Sequence, residues 1–209
     1  MSIEKKEPLF KNPMESINGL SIDDLNKYLP AVQKVEDLFM TVNEMKDGLF
    51  LGLANNGVTK IPNDSIDLII AEPPESPLEE INNSKKPLTI QEYYKWNENW
   101  LKESTRALKQ TGAIYLICGW KNSGMYQSLL NSYLKIQTRI TWRNTSPKNQ
   151  TSPLTWINRT SDIWFATKSD EFMFNQEAVT NETNNLKSNS PLELGVTNLW
   201  SDIVDLQIG

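Results

Sequence analysis

The feature that most limits the fold is a short apolar run that stops against two prolines. Ile66, Leu68, Ile69, Ile70 and Ala71, interrupted only by Asp67, are followed by Glu72, Pro73, Pro74 and Glu75. The run is brief, β-branched and introduced by the turn pair Asp64-Ser65, so it reads as a buried strand. Neither proline can donate to a sheet ladder, and the strand has to end before them. Glu72 is thereby held at a strand's carboxyl end, outside which open α/β sheets bind their ligands.

The flanking sequence extends this strand into an α/β unit. Thr89-Ile90-Gln91-Glu92 is a capping box, with Leu88 and Tyr93 placed as a hydrophobic staple. The helix it opens is expected to run to about Lys109, with Ile90, Tyr93, Tyr94, Trp100, Leu101, Ala107 and Leu108 on its buried side and Thr111-Gly112 as its stop. Ala113–Cys118 is a second apolar strand, continuous as a strand buried on both faces should be. Strand, helix, strand predicts a parallel pair joined by a right-handed crossover. Beyond it, Ser123 reads as the cap of a helix reaching about Ser132, Ile136–Trp142 alternates like a half-buried strand, and Ser161–Ala166 is a further strand. Phe172–Asn175 reads as a short edge strand. The fold class is α/β: a mostly parallel sheet flanked by helices.

The N-terminal third is less ordered in pattern. Residues 1–20 read as a loose arm, and Ser21 opens a short helix that Pro30 ends. A second helix is expected over Ala31–Met45, because Val32, Val35, Leu38, Phe39, Val42 and Met45 form one stripe at helical spacing. Residues 76–86 and 180–191 are polar and read as loops.

Composition excludes several classes of chemistry. A single cysteine, Cys118, and no histidine leave neither an internal disulfide nor a His-dependent triad, and no zinc set of the usual kind. No apolar run is long enough for a bilayer and the first residues lack a leader's apolar core, so a cytoplasmic protein without a membrane partner is expected. The net charge is −5, yet Trp120 to Lys168 holds seven basic residues and one acid, Asp162. Lys121, Arg139, Arg143, Lys148 and Arg159 fall in this stretch, and the asymmetry suggests a local surface for a polyanion. A solvated face with a chance excess of charge would look the same.

The stretch Ser65–Glu75, SIDLIIAEPPE, resembles the strand and catalytic loop of the amino-group DNA methyltransferases, the N6-adenine and N4-cytosine enzymes. Their motif is Asp-Pro-Pro-Tyr or a close variant. In that family the target base is flipped from the duplex. The first motif residue and a proline carbonyl then accept hydrogen bonds from its amino group, and the aromatic residue stacks on the ring. The resemblance extends through the helix and strand from Leu88 to Trp120, through Arg139–Asn175 and to Asn198–Ile203. The order of motifs is similar to the permuted β class, in which the catalytic half precedes the cofactor-binding half.

On this resemblance Glu72, Pro73, Pro74 and Glu75 stand at the catalytic positions, with Glu72 in place of the usual acid and Glu75 in place of the aromatic. Base–aromatic stacking contributes about 1–3 kcal/mol, and Glu75 sets a charge there instead. No Gly-x-Gly occurs, so the half that would bind S-adenosylmethionine is expected to be missing. The resemblance therefore implies residues 1–47 as an arm and helical extension, and 48–209 as a methyltransferase-like domain with a target-recognition-like region at about 120–168.

It implies no cofactor bound by this chain alone, with S-adenosylmethionine supplied through a partner. The implied function is an inactive subunit pairing with an active amino-methyltransferase and contacting nucleic acid through Lys121, Arg139, Arg143, Lys148 and Arg159. DNA is the expected nucleic acid, RNA the alternative. Two other readings stand beside it: an active enzyme assembled from split chains, and a stand-alone DNA-binding pseudoenzyme. Fewer strands are legible than the fold needs, so one sheet edge and one apolar face are expected to lie open.

Overall fold

The computed structural model describes residues 32–37, 41–46, 48–75, 88–144, 156, 158–176 and 197–201. Residues 1–30, the loop at 76–86 and residues 180–191 lie outside them, as does Lys148. Five strands make the central sheet: β3 (Ile66–Ala71), β4 (Leu108–Gly119), β5 (Lys135–Arg143), β6 (Thr160–Thr167) and β7 (Leu199–Trp200), in the order β3-β4-β6-β5-β7. β3 pairs parallel with β4 and β5 parallel with β7, while β6 lies antiparallel between β4 and β5. Four strands thus point one way and only β6 is reversed, which gives the mostly parallel α/β sheet expected.

The β3–β4 parallel pair needs a crossover, and helix α3 (Ile90–Ala107) provides it. Its capping box forms as read. The Glu92 amide donates to Thr89 Oγ1 at 3.3 Å, and the Thr89 amide and hydroxyl donate to Glu92 Oε2 at 2.8 and 2.9 Å. Two features of the reading change. Ile90, expected on the buried side, is 82 % exposed. The helix also ends at Ala107, so Thr111-Gly112, the expected stop, falls within the tetrapeptide Lys109–Gly112 of β4. That tetrapeptide is an irregularity inside β4: the register passes from Ile66–Leu108 to Leu68–Ala113. Gly112 is needed there, since a Cβ would stand 3.0 Å from the Ile66 carbonyl oxygen.

Helix α4 (Trp120–Tyr133) follows β4 directly, with Gly119 as its N-cap. Ser123, read as a cap, is instead inside the helix and buried, where its hydroxyl accepts from Trp164 Nε1 at 3.2 Å. Helices α3 and α4 cover one face of the sheet. Trp100, Leu101, Tyr126, Leu129 and Leu130 meet Ile114, Leu116 and Cys118 of β4 and Trp164 and Ala166 of β6 in one core.

The region before β3 departs most from the reading. The stripe taken as one helix over Ala31–Met45 splits into a two-residue strand β1 (Gln33–Lys34), a 3₁₀ turn (Val35–Asp37) and a single helical turn α1 (Val42–Met45). β1 pairs parallel with β2 (Phe50–Leu51), and the buried Val35 packs on Gly52 and Gly57 instead of extending a helix. Helix α2 (Ala54–Lys60) then packs Val58 on the core. Arg106 ties α2 to α3, donating to the carbonyls of Val58, Thr59 and Ile61 at 3.1, 3.3 and 2.8 Å. A helix end leaves such carbonyls short of partners, and that of Val58 also accepts from the Ile61 amide at 3.2 Å.

The other face of the sheet is treated differently. In register across it run Ile70, Tyr115 and Phe165. Tyr115 stacks on Phe165 with ring centroids 4.6 Å apart, and Phe172 meets Phe165 edge-on at 5.6 Å. Phe172–Asn175, expected as an edge strand, is irregular chain whose rings cover this face. Covering stops short of β3. Leu68 is 50 % and Ile70 68 % exposed, and among the described residues β3 pairs with nothing but β4. An open edge and an open apolar face therefore coincide on the strand that carries the motif.

Candidate functional site

β3 delivers Glu72 to the carboxyl end of the sheet, and the prolines stop the ladder as their chemistry requires. Glu72 and Glu75 are exposed, and Pro73 and Pro74 are half-buried. Two helices grip the loop by its carbonyls. From α3, the Tyr93 hydroxyl donates to the Pro74 carbonyl. From the first turn of α4, Asn122 Nδ2 donates to the Glu75 carbonyl at 2.7 Å. The Glu75 side chain folds over Gly119, so closely that a Cβ there would stand 2.6 Å from Oε1.

Behind Tyr93 lies a buried polar network. Tyr126 donates to Asn97 Oδ1 at 2.9 Å, Trp100 Nε1 donates to the same oxygen at 2.9 Å, and Asn97 Nδ2 donates to the Tyr93 carbonyl at 2.9 Å. The two phenol oxygens are 3.2 Å apart. Burial drives the Tyr126 hydroxyl far above the usual phenol range, with the contact to Tyr93 adding to it, so it stays protonated and available as a donor. None of these residues emerged as site residues from the sequence. Asn97 carried a signal: a polar side chain on the buried side of an amphipathic helix has to have partners.

Cys118 sits below the loop. Burial first, then the Asp162 charge, with a smaller push from Glu75, raises its thiol to about 12, while a hydrogen bond with Ser123 works the other way. It is a packing residue and not a nucleophile at neutral pH.

The basic residues divide by position. β3, β4 and β5 run one way and β6 the other, so the end of β5, the start of β6 and the motif loop share one rim of the sheet. Lys121 in the first turn of α4, Arg143 at the end of β5 and Arg159 just before β6 all lie at this rim and are exposed. Arg139 stands one strand segment lower, roughly 13 Å down β5 at the usual rise. Its Nε lies 3.7 Å from Asp162 Oδ1. Asn144 closes the neck of the β5–β6 loop, its amide donating to the Arg159 carbonyl at 2.8 Å and its Nδ2 to Ser161 Oγ at 3.2 Å. Trp156 in that loop is 95 % exposed, and Trp120 beside the motif loop is 56 % exposed.

The described residues form no metal cluster. They bring together no group of three metal-ligating side chains. No described glycine takes a left-handed conformation, which a tight glycine turn around a nucleotide needs. At the end of β4 the space over Gly119 is filled by the Glu75 carboxylate.

Comparison with known proteins agrees with this fold. A family model described as DNA methylase, of the N6 and N4 type, matches residues 66–205, from the first residue of β3 past β7. The chain is 27 % identical over 165 residues to the type II methyltransferase M.HpaI of Haemophilus parainfluenzae, covering 75 % of this chain and 50 % of that protein. It is 30 % identical over 115 residues to the type II methyltransferase M.MjaVI of Methanocaldococcus jannaschii, covering 46 % of this chain and 59 % of that one. The chain thus spans about half the length of the curated relatives it matches. Among solved structures, the cytosine-N4-specific PvuII DNA methyltransferase superposes with a TM-score of 0.55 at 16 % identity, over 75 % of this chain and 56 % of that one. At that identity the likeness speaks to the fold.

Proposed function

This chain belongs to the N6/N4 DNA methylase family, and on that premise we propose that it is an inactive methyltransferase-like subunit that joins an active amino-methyltransferase and adds nucleic-acid contacts. The open flank of β3 carries the reading. Leu68 and Ile70 stand half or more exposed on the edge strand of a five-stranded sheet. Unpaired edges and naked apolar strands invite pairing with another chain, and natural proteins cover them. A partner strand laid along β3 would satisfy the backbone and bury both side chains.

The motif loop supports inactivity. Glu75 occupies the motif's aromatic position and lays its carboxylate against Gly119. Glu72 keeps an acceptor but is longer by a methylene than the family's acid, and about 1 Å of misplacement costs roughly a hundredfold in rate. Lys121, Arg143 and Arg159 at the rim are the proposed phosphate contacts, with Arg139 lower on the flank and Lys148, between Arg143 and Arg159 in the sequence, as a further one. S-adenosylmethionine would be held by the partner.

One observation favours a second reading, an active enzyme completed by a chain carrying the cofactor half. The loop is clamped at two carbonyls by Tyr93 and Asn122, an order that a decayed loop has no need of. Affinity capture followed by a methylation assay separates the two. Recovery of a complete amino-methyltransferase whose activity survives Glu72→Ala supports the inactive subunit. Recovery of a cofactor-half chain, with activity abolished by Glu72→Ala, supports the split enzyme.

A further inference from the structure

The rim that carries the motif loop is graded in charge across the sheet. In the strand order β3-β4-β6-β5 it presents the Glu72 and Glu75 carboxylates after β3, then Trp120 and Lys121 after β4, then Arg159 before β6 and Arg143 at the end of β5. Gly119, Ser161 and Trp142 stand level on three neighbouring strands. Trp120 and Arg143 therefore leave the sheet two strand spacings apart, roughly 10 Å. All seven tryptophans are described, and five of them are buried or half-buried. The two exposed ones are Trp120, at 56 %, and Trp156, at 95 %, which lies in the loop that rises from this rim between Arg143 and Arg159.

We propose that Trp120 is a stacking platform for an unpaired base, so that this rim takes single-stranded DNA in preference to a duplex. The inference rests on the reading of the rim as a nucleic-acid surface and names the form that surface fits. An indole can cover a base only where the base's own face is open, and inside a duplex both faces are taken by neighbouring pairs. A duplex would meet the cations alone, and the indole beside them would add nothing. The carboxylates on the β3 side repel phosphate. A single strand's backbone would therefore run over Arg159 and Arg143, with its bases turned toward Trp120. The platform is held in place before anything binds. Trp120 opens α4 directly from β4, with Gly119 as the N-cap, and Asn122 two positions on donates to the Glu75 carbonyl at 2.7 Å. A protein contact would carry a different mark, because the centres of such interfaces are poor in charge. Trp120 has Lys121 beside it and two arginines along the rim, whereas the exposed Leu68 and Ile70 lie away on β3.

Fluorescence anisotropy of the full-length protein with a labelled, mixed-sequence DNA strand, and with the duplex made from that strand, tests this. The single strand should bind more tightly than the duplex. Trp120→Ala should weaken single-strand binding by about tenfold to a hundredfold, the weight of one stacked base, and leave duplex binding within about twofold, since that is carried by the cations. Trp120→Phe should keep most of the single-strand affinity, because any aromatic face serves. Lys121→Ala should weaken both forms alike and lower the salt slope by about one. The exposed Trp120 side chain can be removed without touching the core, so the urea midpoint of Trp120→Ala should match the wild type. A lowered midpoint would make Trp120 a packing residue and overturn the platform. If neither form binds at low salt, the rim is no nucleic-acid surface and the platform falls with that reading. If the duplex binds as tightly as the single strand, or Trp120→Ala weakens both equally or neither, the nucleic-acid reading stands and the platform alone is overturned.

Discussion

The Glu75 carboxylate rests on Gly119, in the space where any other residue would carry its Cβ. The contact joins the end of β3 to the end of β4 and puts a negative charge over the strand ends. The atoms a Cβ at Gly119 would meet are the far end of the Glu75 side chain and not backbone, so Gly119→Ala should cost little through the clash. The larger effect comes from the N-cap of α4, where alanine is worse than glycine. A loss of about 1 kcal/mol in a urea titration is expected, and combining it with Glu75→Ala should leave that loss unchanged. A loss beyond about 3 kcal/mol would mean that the carboxylate is held in place.

Arg106 should matter more than any other surface charge on α3. Its guanidinium donates to the carbonyls of Val58, Thr59 and Ile61 and to Glu103. Arg106→Ala should cost about 2–3 kcal/mol by chemical denaturation, as charged hydrogen bonds to a helix end are lost together. Arg106→Lys should recover little of it, because an ammonium cannot span the same carbonyls as a planar fork.

Glu92 makes the start of α3 sensitive to acid. Hydrogen bonds from the Thr89 backbone and side chain hold its carboxyl below the usual value of 4.5. Its contribution is therefore complete above the unfolded-state value and fades as pH falls through the lower folded-state value. Glu92→Gln should flatten the acid limb of a stability–pH curve below about pH 4.5 while leaving the neutral region parallel to the wild type. An identical acid limb in both proteins would show that the capping box does not contribute.

Cys118 should resist alkylation in the folded protein. Its thiol is buried and raised to about 12. Iodoacetamide at pH 8 should label it at the rate of global unfolding, and urea should accelerate the reaction steeply. Rapid labelling without denaturant would contradict the packing described for β4.

What the sequence disclosed follows the range of the forces involved. β3, β4 and the start of α3 were legible because their signals are local: β-branched runs, paired prolines and a four-residue capping box. The helix over 31–45 was misread because Val35 fits a helical stripe, yet its partner is Gly52 across a parallel bridge, a contact with no trace in periodicity. Ser123 resembled a cap because nothing nearby reveals that Trp164, 41 positions on, needs an acceptor. The candidate site was legible in its motif and not in its support. Glu72 to Glu75 stand where the strand reading put them. Tyr93, Asn97, Tyr126 and Asn122 converge on that loop only after α3 and α4 are folded over the sheet. Among the basic residues, composition could not separate Arg139 beside Asp162 from Lys121, Arg143 and Arg159 at the rim.

The flank of β3 should be dispensable for folding and needed for partnership. Leu68→Ser and Ile70→Ser remove apolar area that is already half or more exposed. Each should change stability by less than about 1 kcal/mol. The same pair should abolish capture of the partner methyltransferase, since both side chains would lie inside the joint. A large loss of stability would place that face in the protein's own core.

The most direct measurement is transfer of radiolabelled methyl groups to DNA by the purified chain, alone and in complex with the methyltransferase it captures. The expected result is no transfer by the chain alone and transfer by the complex that is insensitive to Glu72→Ala yet lost with the paired Leu68→Ser and Ile70→Ser substitutions. Transfer by the chain alone, or loss of the complex's activity on Glu72→Ala, would contradict an inactive subunit.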